Sequence, residues 1–381
     1  MPSRNGHIVV WALLSVAAAL ASCRKQEPVQ GGAVPIALEA GLEESTKAAS
    51  AGTTTLSLQD EGIGLFAWNT PMGSYFDGSH LYLNNTRFSY SSGNYVASAY
   101  WLPGSWLSFF GYAPYMANVS SGALVFPSGY ENGFPTATYT PASNPAQQVD
   151  LCLAAPVLDR TSADGTVPLT LSHALTKVLF QARWTGDAGT VARVADMGYG
   201  VRITSITLSN VRGSNTLHYT RDGYYWDSPA ASALATYATS SYSLSVANGT
   251  LMALNEAEAA IPQTTSWSSS FVPQEGTLYL LPQALASTAT LSVTFGFYKS
   301  GSSLAETFST AVFNLGNMPR YVWPMGKVVT YSITLDLTPG GYPTIAGSFS
   351  DLNAGGYKDG DSGLACAGSY QNGPALPDVR Q

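Results

Sequence analysis

The chain has 381 residues and a formal net charge of −7, and only 11% of its residues are charged. The negative charge, with no basic run longer than Arg24-Lys25, argues against nucleic acid as a partner. Few charges together with 22 tyrosines and 37 glycines are typical of a secreted β-rich protein. The part after Cys23 is longer than one hydrophobic core usually holds, which predicts two domains.

The first 23 residues have the pattern of a lipoprotein signal peptide. Arg4 precedes an apolar run, Ile8–Leu20, which is too short for the roughly 20 residues that span a bilayer. Leu20-Ala21-Ser22-Cys23 then matches a lipoprotein box. We therefore predict that residues 1–22 are removed and that the thiol of Cys23 carries the lipid. The alternative is an ordinary signal peptide followed by an incidental cysteine.

The segment that follows, residues 23–50, is predicted to be a lipidated linker that contains one short strand. Val34, Ile36 and Leu38 alternate with other residues, so this strand could complete a sheet of its own subunit. If a protease removed the strand, unpaired backbone N–H and C=O groups would line a groove. A strand of another subunit could then fill that groove.

Period-two alternation of apolar residues predicts half-buried antiparallel strands along the rest of the chain. The clearest ladders are Val178–Trp184, Leu291–Phe297 and Val329–Leu337. Turn residues between them favour β-sandwiches. The polar stretch that ends at Gly165 predicts a join between an N-terminal sandwich, 51–165, and a C-terminal one, 166–338. Residues 339–381, rich in Gly, Ser and Pro, are predicted to form a tail without a core of its own, either flexible or ordered only against something else.

Six segments, in this order, carry a resemblance to a known family. They are Tyr100–Pro103, Leu107–Pro114, Gln148–Leu151, Val167–Val178, Leu280–Gln283 and Gly326–Tyr331. With the lipoprotein box before them, they make the chain resemble the fimbrillin or Mfa-like surface lipoproteins, the type V pilins. The resemblance covers roughly residues 30–338.

The resemblance implies an all-β fold of two tandem transthyretin-like β-sandwich domains. In polymerising members of the family, it also implies assembly with other pilin subunits by strand exchange. The family is typically cut after an arginine just downstream of the N-terminal strand. Here Lys47 stands at the corresponding place, so the predicted processing site is Lys47-Ala48. The tail departs from the family, since it has no tryptophan after Trp323.

Other chemistry finds little support in the sequence. We expect no cofactor, no metal site and no catalytic residue, because the four histidines lack ligand spacing and His173 is predicted to be a packed strand residue. Gly360-Asp361-Ser362-Gly363 copies part of a serine-protease motif, but it lies in the Gly-rich tail. A disulfide between Cys152 and Cys366 stays open. So does a sugar-stacking platform built from aromatic residues, with Trp101, Trp106, Tyr112 and Tyr115, or Tyr224, Tyr225 and Trp226, as the candidates.

The sequence thus predicts a non-enzymatic outer-membrane lipoprotein of a Gram-negative cell surface. It would act as a fimbrial subunit or anchor in adhesion, with the membrane, other pilin subunits and a surface ligand as its partners. The alternative is a monomeric glycan-binding surface lipoprotein that never polymerises.

Overall fold

The computed structural model describes residues 33–42, 55–127, 129, 133–227, 239–251, 253–254, 277–299, 305–318, 322–351 and 365–371. The described residues from Pro35 onward belong to one compact unit. The predicted signal peptide, the lipidation site Cys23 and the processing site Lys47-Ala48 all lie outside the described residues.

Strands make up most of the described chain, so the predicted all-β class is confirmed. The first ten are β1 (Pro35–Leu42), β2 (Ile63–Pro71), β3 (Leu81–Ser91), β4 (Asn94–Tyr100), β5 (Ser105–Ala113), β6 (Leu124–Val125), β7 (Thr136–Tyr139), β8 (Cys152–Ala154), β9 (Val157–Arg160) and β10 (Val167–His173). Those that follow are β11 (Thr176–Thr185), β12 (Tyr199–Arg212), β13 (Asn215–Thr220), β14 (Gly223–Trp226), β15 (Thr239–Leu251), β16 (Ala253–Leu254), β17 (Leu278–Leu280), β18 (Gln283–Ala284), β19 (Thr290–Lys299), β20 (Ala305–Asn314), β21 (Val322–Trp323), β22 (Lys327–Asp336), β23 (Thr344–Asp351), β24 (Ala365–Ala367) and β25 (Ser369–Tyr370).

The helices of the described residues are short. They are α1 (Thr55–Glu61) and α2 (Ala188–Asp196). Asp187 caps α2, because its side chain accepts a hydrogen bond from the backbone N–H of Thr190 at 2.7 Å. Within the described part of the chain, neither helix has the length and apolar character needed to cross a membrane.

The N-terminal strands form one β-sheet that closes on itself, and we call this sheet the closed ladder. They pair in the order β2-β3-β4-β1-β10-β8-β5, and β5 pairs again with β2 along most of its length. β9 adds to β5 beside β8. Closure satisfies backbone groups that an open sheet would leave at its edges. The inward side chains form one apolar cluster, to which Ile36, Leu65, Phe109 and Leu169 contribute.

β2 and β5 are buried on both faces, unlike the half-buried strands that the sequence predicts. Leu65 and Ala67 of β2 face the interior of the closed ladder, and Phe66 and Trp68 belong to a second, aromatic-rich cluster. A four-stranded sheet, β14-β13-β7-β6, contributes Tyr139, among other residues, to this second cluster. Strands from distant parts of the chain therefore share it, since β13 lies well beyond β7 in sequence.

The later strands build a sandwich of two sheets around a third cluster. One sheet has the order β16-β11-β22-β23-β24, with β17 also paired to β11, and the other has the order β15-β12-β19-β20-β25. The three predicted apolar ladders lie in β11, β19 and β22. Their alternate residues are buried in the shared core, which confirms the alternation as a strand signal.

The predicted join near residue 165 does not mark the change of sheet. β10 begins at Val167, yet it pairs with β1 and β8 of the closed ladder. The chain enters the next sheet only at Thr176, the first residue of β11. The polar turn at Gly165 is therefore a loop between two strands of the same sheet. The number of domains stays a prediction.

The described part of the predicted tail is ordered against the later sandwich. β23 pairs with β22 along its whole length, and Ile345 is buried in the third cluster. β24 then extends one sheet and β25 the other, so the described end of the tail joins both sheets of the sandwich. The hydroxyl of Tyr370 donates a hydrogen bond to the carbonyl oxygen of Asp336 at 2.7 Å.

Candidate functional site: the β1 groove

β1 is inserted between two strands that come later in the chain. Its first half pairs antiparallel with β4, where Leu38 lies opposite Tyr95. Its second half pairs parallel with β10, from Leu38 opposite Val167 to Leu42 opposite Leu171. We call the space between β4 and β10 the β1 groove. Without β1, both neighbouring strands would present unpaired backbone N–H and C=O groups to solvent.

The side chains of β1 alternate between the core and the surface. Ile36 and Leu38 are fully buried in the interior cluster, and Ala40 and Leu42 are partly buried against it. Glu39 points outward and is exposed. Burial of two such aliphatic side chains stabilises the strand in its groove by about 3–6 kcal/mol before ordering costs.

Val34 does not share the predicted inward face. Its side chain is 50% exposed, and it lies before the first residue of β1. The inward face instead continues toward Leu42. The alternation at Ile36 and Leu38 was readable from the sequence, whereas the strand's position and its C-terminal extent depend on pairing with β10.

Tyr95 forms part of the groove wall on β4. It is 2% exposed, and its hydroxyl has no hydrogen-bond partner among the described residues. Burial raises the pKa of this phenol, and the nearby Tyr90 raises it further. The ring contacts that of Tyr90 edge-on, with 5.3 Å between centroids. The hydroxyl is thus a reporter of whether β1 covers the wall.

The chain between β1 and α1 contains the predicted processing site. β1 ends at Leu42 and α1 begins at Thr55, while Lys47 and Ala48 lie between them, outside the described residues. A single cut there would leave β1 held in its groove by non-covalent contacts alone.

A polar cluster that the spacing of residues in the sequence does not reveal lies close to this groove. Asp150, Cys152 and His173 are all buried, and their potential ligand atoms lie within 4.8 Å of one another. Nδ1 of His173 lies 3.0 Å from Oδ2 of Asp150 and 3.6 Å from Sγ of Cys152. His173 is a buried strand residue, as predicted, but it packs against polar partners.

A lysine neighbours this cluster. Lys177 of β11 is 2% exposed; burial lowers its pKa, and the charge of Asp150 raises it. Its Nζ lies 5.8 Å from the ring centroid of Tyr279. The spacing of these residues in sequence gives no metal or ion-pair signal, because the cluster forms only when β8, β10 and β11 meet.

The cysteine and aromatic candidates from the sequence lie in separate parts of the fold. Cys152 and Cys366 are both free thiols, the first buried and the second half-buried. Among the aromatic candidates, Trp101, Tyr112 and Trp226 are core residues. Tyr225 is 51% exposed and stacks on His218 with 5.0 Å between ring centroids.

A profile of the fimbrillin-like family matches residues 46–346. The chain belongs to the fimbrillin-like family. The matched span begins downstream of β1 and includes every other strand of the closed ladder. No curated protein sequence matches the chain.

Solved structures show the same fold at low sequence identity. A fimbrial protein from Bacteroides vulgatus is 17% identical, with a TM-score of 0.57 over 83% of this chain and 99% of that one. A putative cell adhesion protein from Bacteroides ovatus is 14% identical, with a TM-score of 0.50 over 84% of this chain and 98% of that one. At these identities the likeness concerns the fold alone.

Proposed function

We propose that this protein is a fimbrial subunit or anchor of the cell surface, lipidated at Cys23, that assembles by strand exchange and mediates adhesion. Membership of the fimbrillin-like family supports a role as a pilus subunit or adhesin. The lipoprotein box at Leu20–Cys23 supports export to the outer membrane. The proposal assigns no catalytic step to the chain.

The position of β1 is the observation that supports strand exchange. This strand lies at the N-terminal end of the compact unit, yet it fills an interior place between β4 and β10 and contributes two fully buried side chains. A cut after Lys47 would separate it from the body of the protein and leave the other described strands in place. The vacated groove would then accept a strand of similar alternation from another subunit.

The orientation of the pairing limits the incoming strand. It must run antiparallel to β4 and parallel to β10, and its inward residues must replace Ile36 and Leu38. Two alternating aliphatic side chains regain about 3–6 kcal/mol of burial. Backbone hydrogen bonds to both walls add further stabilisation of about 0.5–1.5 kcal/mol each.

Limited trypsin digestion of the full chain tests the proposal. Cleavage after Lys47 should convert monomers into oligomers that persist in mild detergent, as measured by size-exclusion chromatography with light scattering. The matched control is Lys47→Ala under the same protease, which should stay uncut at this position and monomeric. If mass spectrometry shows that β1 has left while the protein remains monomeric at high concentration, strand exchange is wrong.

The second candidate function is glycan binding by the monomer, which the exposed ring of Tyr225 favours. This ring stacks on His218, whose Nε2 lies 2.8 Å from Oδ1 of Asp227. An exposed aromatic face beside polar groups suits a sugar ring. A glycan array should show retention that Tyr225→Ala removes, while Tyr342→Ala, at another exposed tyrosine, leaves it unchanged.

A further inference from the structure

The pairing of β8 with β10 brings three metal-binding residue types to one point. His173 lies directly opposite Cys152 in the antiparallel register, and Asp150 lies two residues before Cys152. Residues two apart in an extended chain project to the same side, so both can face the imidazole of His173. All three side chains are buried, with exposures of 5% for Asp150, 0% for Cys152 and 7% for His173.

Both separations from Nδ1 of His173 are close to those of a tetrahedral zinc site. Zinc bonds of ordinary length place a nitrogen and a sulfur ligand about 3.6 Å apart, and a nitrogen and an oxygen ligand about 3.4 Å apart. Here Nδ1 of His173 is 3.6 Å from Sγ of Cys152 and 3.0 Å from Oδ2 of Asp150. An ion would need the second separation to widen by about 0.4 Å.

The charge of the ligand set also suits a divalent ion in a buried position. A thiolate and a carboxylate together balance the two positive charges of the metal, while a neutral imidazole adds none. Binding would release the thiol proton of Cys152 to solvent, because the thiolate is the ligand. Thiolate, imidazole and carboxylate together favour zinc over calcium or magnesium, which prefer oxygen ligands.

We propose that Asp150, Cys152 and His173 form a zinc site that clamps β8 to β10. Oδ2 of Asp150, Sγ of Cys152 and Nδ1 of His173 are the ligands, and a water or the second carboxylate oxygen takes the fourth position. β10 is also one wall of the β1 groove. The ion would therefore hold that wall in place independently of β1.

Lys177 provides an internal check on this assignment. Its ammonium group interacts electrostatically with Asp150, so the ammonium and the ion share one carboxylate. Removal of this positive charge should strengthen zinc binding. Lys177→Met should consequently bind zinc more tightly than the wild-type chain, and a weaker affinity would overturn the proposed charge arrangement.

The test is metal binding by the full chain refolded with and without zinc. Wild-type protein should retain one zinc per chain after desalting, by mass spectrometric metal analysis, and zinc should raise its unfolding temperature. With cobalt in place of zinc, a thiolate-to-metal charge-transfer band should appear. Cys152→Ser should lose both the metal and the band, whereas Cys366→Ser, at the other free thiol, should keep them.

Folding of each variant is checked by its far-ultraviolet spectrum. Cys152→Val, which has no metal-binding atom and is close to cysteine in volume, is the second variant if the serine variant does not fold. Two results would overturn the proposal: wild-type protein that folds without retaining zinc, and zinc that is retained equally by the Cys152 variants. The first would leave the cluster as a hydrogen-bonded group only.

Discussion

Truncation of Leu38 tests how firmly β1 is held in its groove. This side chain is fully buried, and its residue pairs with both Tyr95 and Val167. Replacement by alanine removes buried aliphatic volume from the core. We expect Leu38→Ala to lower the free energy of unfolding by about 2–5 kcal/mol. Glu39→Ala, at the adjacent exposed position, should change it by no more than about 0.5 kcal/mol.

The same loss of stability should appear as release of β1 once the chain is cut after Lys47. Every 1.4 kcal/mol corresponds to a tenfold change in equilibrium, so cleaved Leu38→Ala should hold β1 about 30-fold to 4,000-fold more weakly. Urea unfolding of the intact chain, followed by tryptophan fluorescence, measures the free energy of unfolding. Retention of the cleaved β1 segment on desalting, followed by mass spectrometry, measures how firmly the groove holds it. Equal effects of Leu38→Ala and Glu39→Ala in both assays would refute the reasoning.

Three further predictions concern other parts of the account. Loss of β1 should lower the pKa of Tyr95 toward its ordinary value, because burial is the main cause of its rise; a pH titration of ¹³C-labelled tyrosine, assigned with Tyr95→Phe, measures this. Cys23→Ala should abolish lipid attachment and membrane retention, and an unmodified mature wild-type N-terminus elsewhere would contradict the lipoprotein assignment. Ile345→Ala should destabilise the protein by about 2–5 kcal/mol, whereas Tyr342→Ala, at an exposed position of the same tail, should cost no more than about 0.5 kcal/mol.

Alternation in the sequence was a good guide wherever one face of a strand is buried. The ladder from Val329 to Leu337 shows this, since each alternate residue is in the core. The signal weakened at β2, where Phe66 and Trp68 are buried on one face and Leu65 and Ala67 on the other. A strand buried on both faces loses the polar half of its pattern.

Long-range pairing decides the features that the sequence did not reveal. The polar turn at Gly165 resembled a domain join, but β10 returns to the first sheet because it pairs with β1 and β8. The tail lacked apolar density, but Ile345 finds its core through pairing with β22. The sequence predicted the alternating strand β1 but not that β4 and β10 would be its neighbours, because no local pattern says which strands will pair.

The cluster of Asp150, Cys152 and His173 illustrates the same limit at the level of a site. Two of its members are close in sequence, but the third is contributed by β10 and is fixed by register alone. Short spacing rules for metal ligands could not find it. A search for acidic, thiol and imidazole groups on paired strands would have done so, once the pairing was known.

The central claim is that the groove of β1 is the place where subunits join. Competition by a synthetic peptide with the sequence of residues 33–43 tests it most directly, with oligomerisation of trypsin-cleaved protein as the measured quantity. We expect an excess of this peptide to keep cleaved protein monomeric, and the same peptide with Leu38→Ala to be much less effective. Cleaved protein that oligomerises to the same extent with the wild-type peptide, with the Leu38→Ala peptide and without any peptide would contradict the claim.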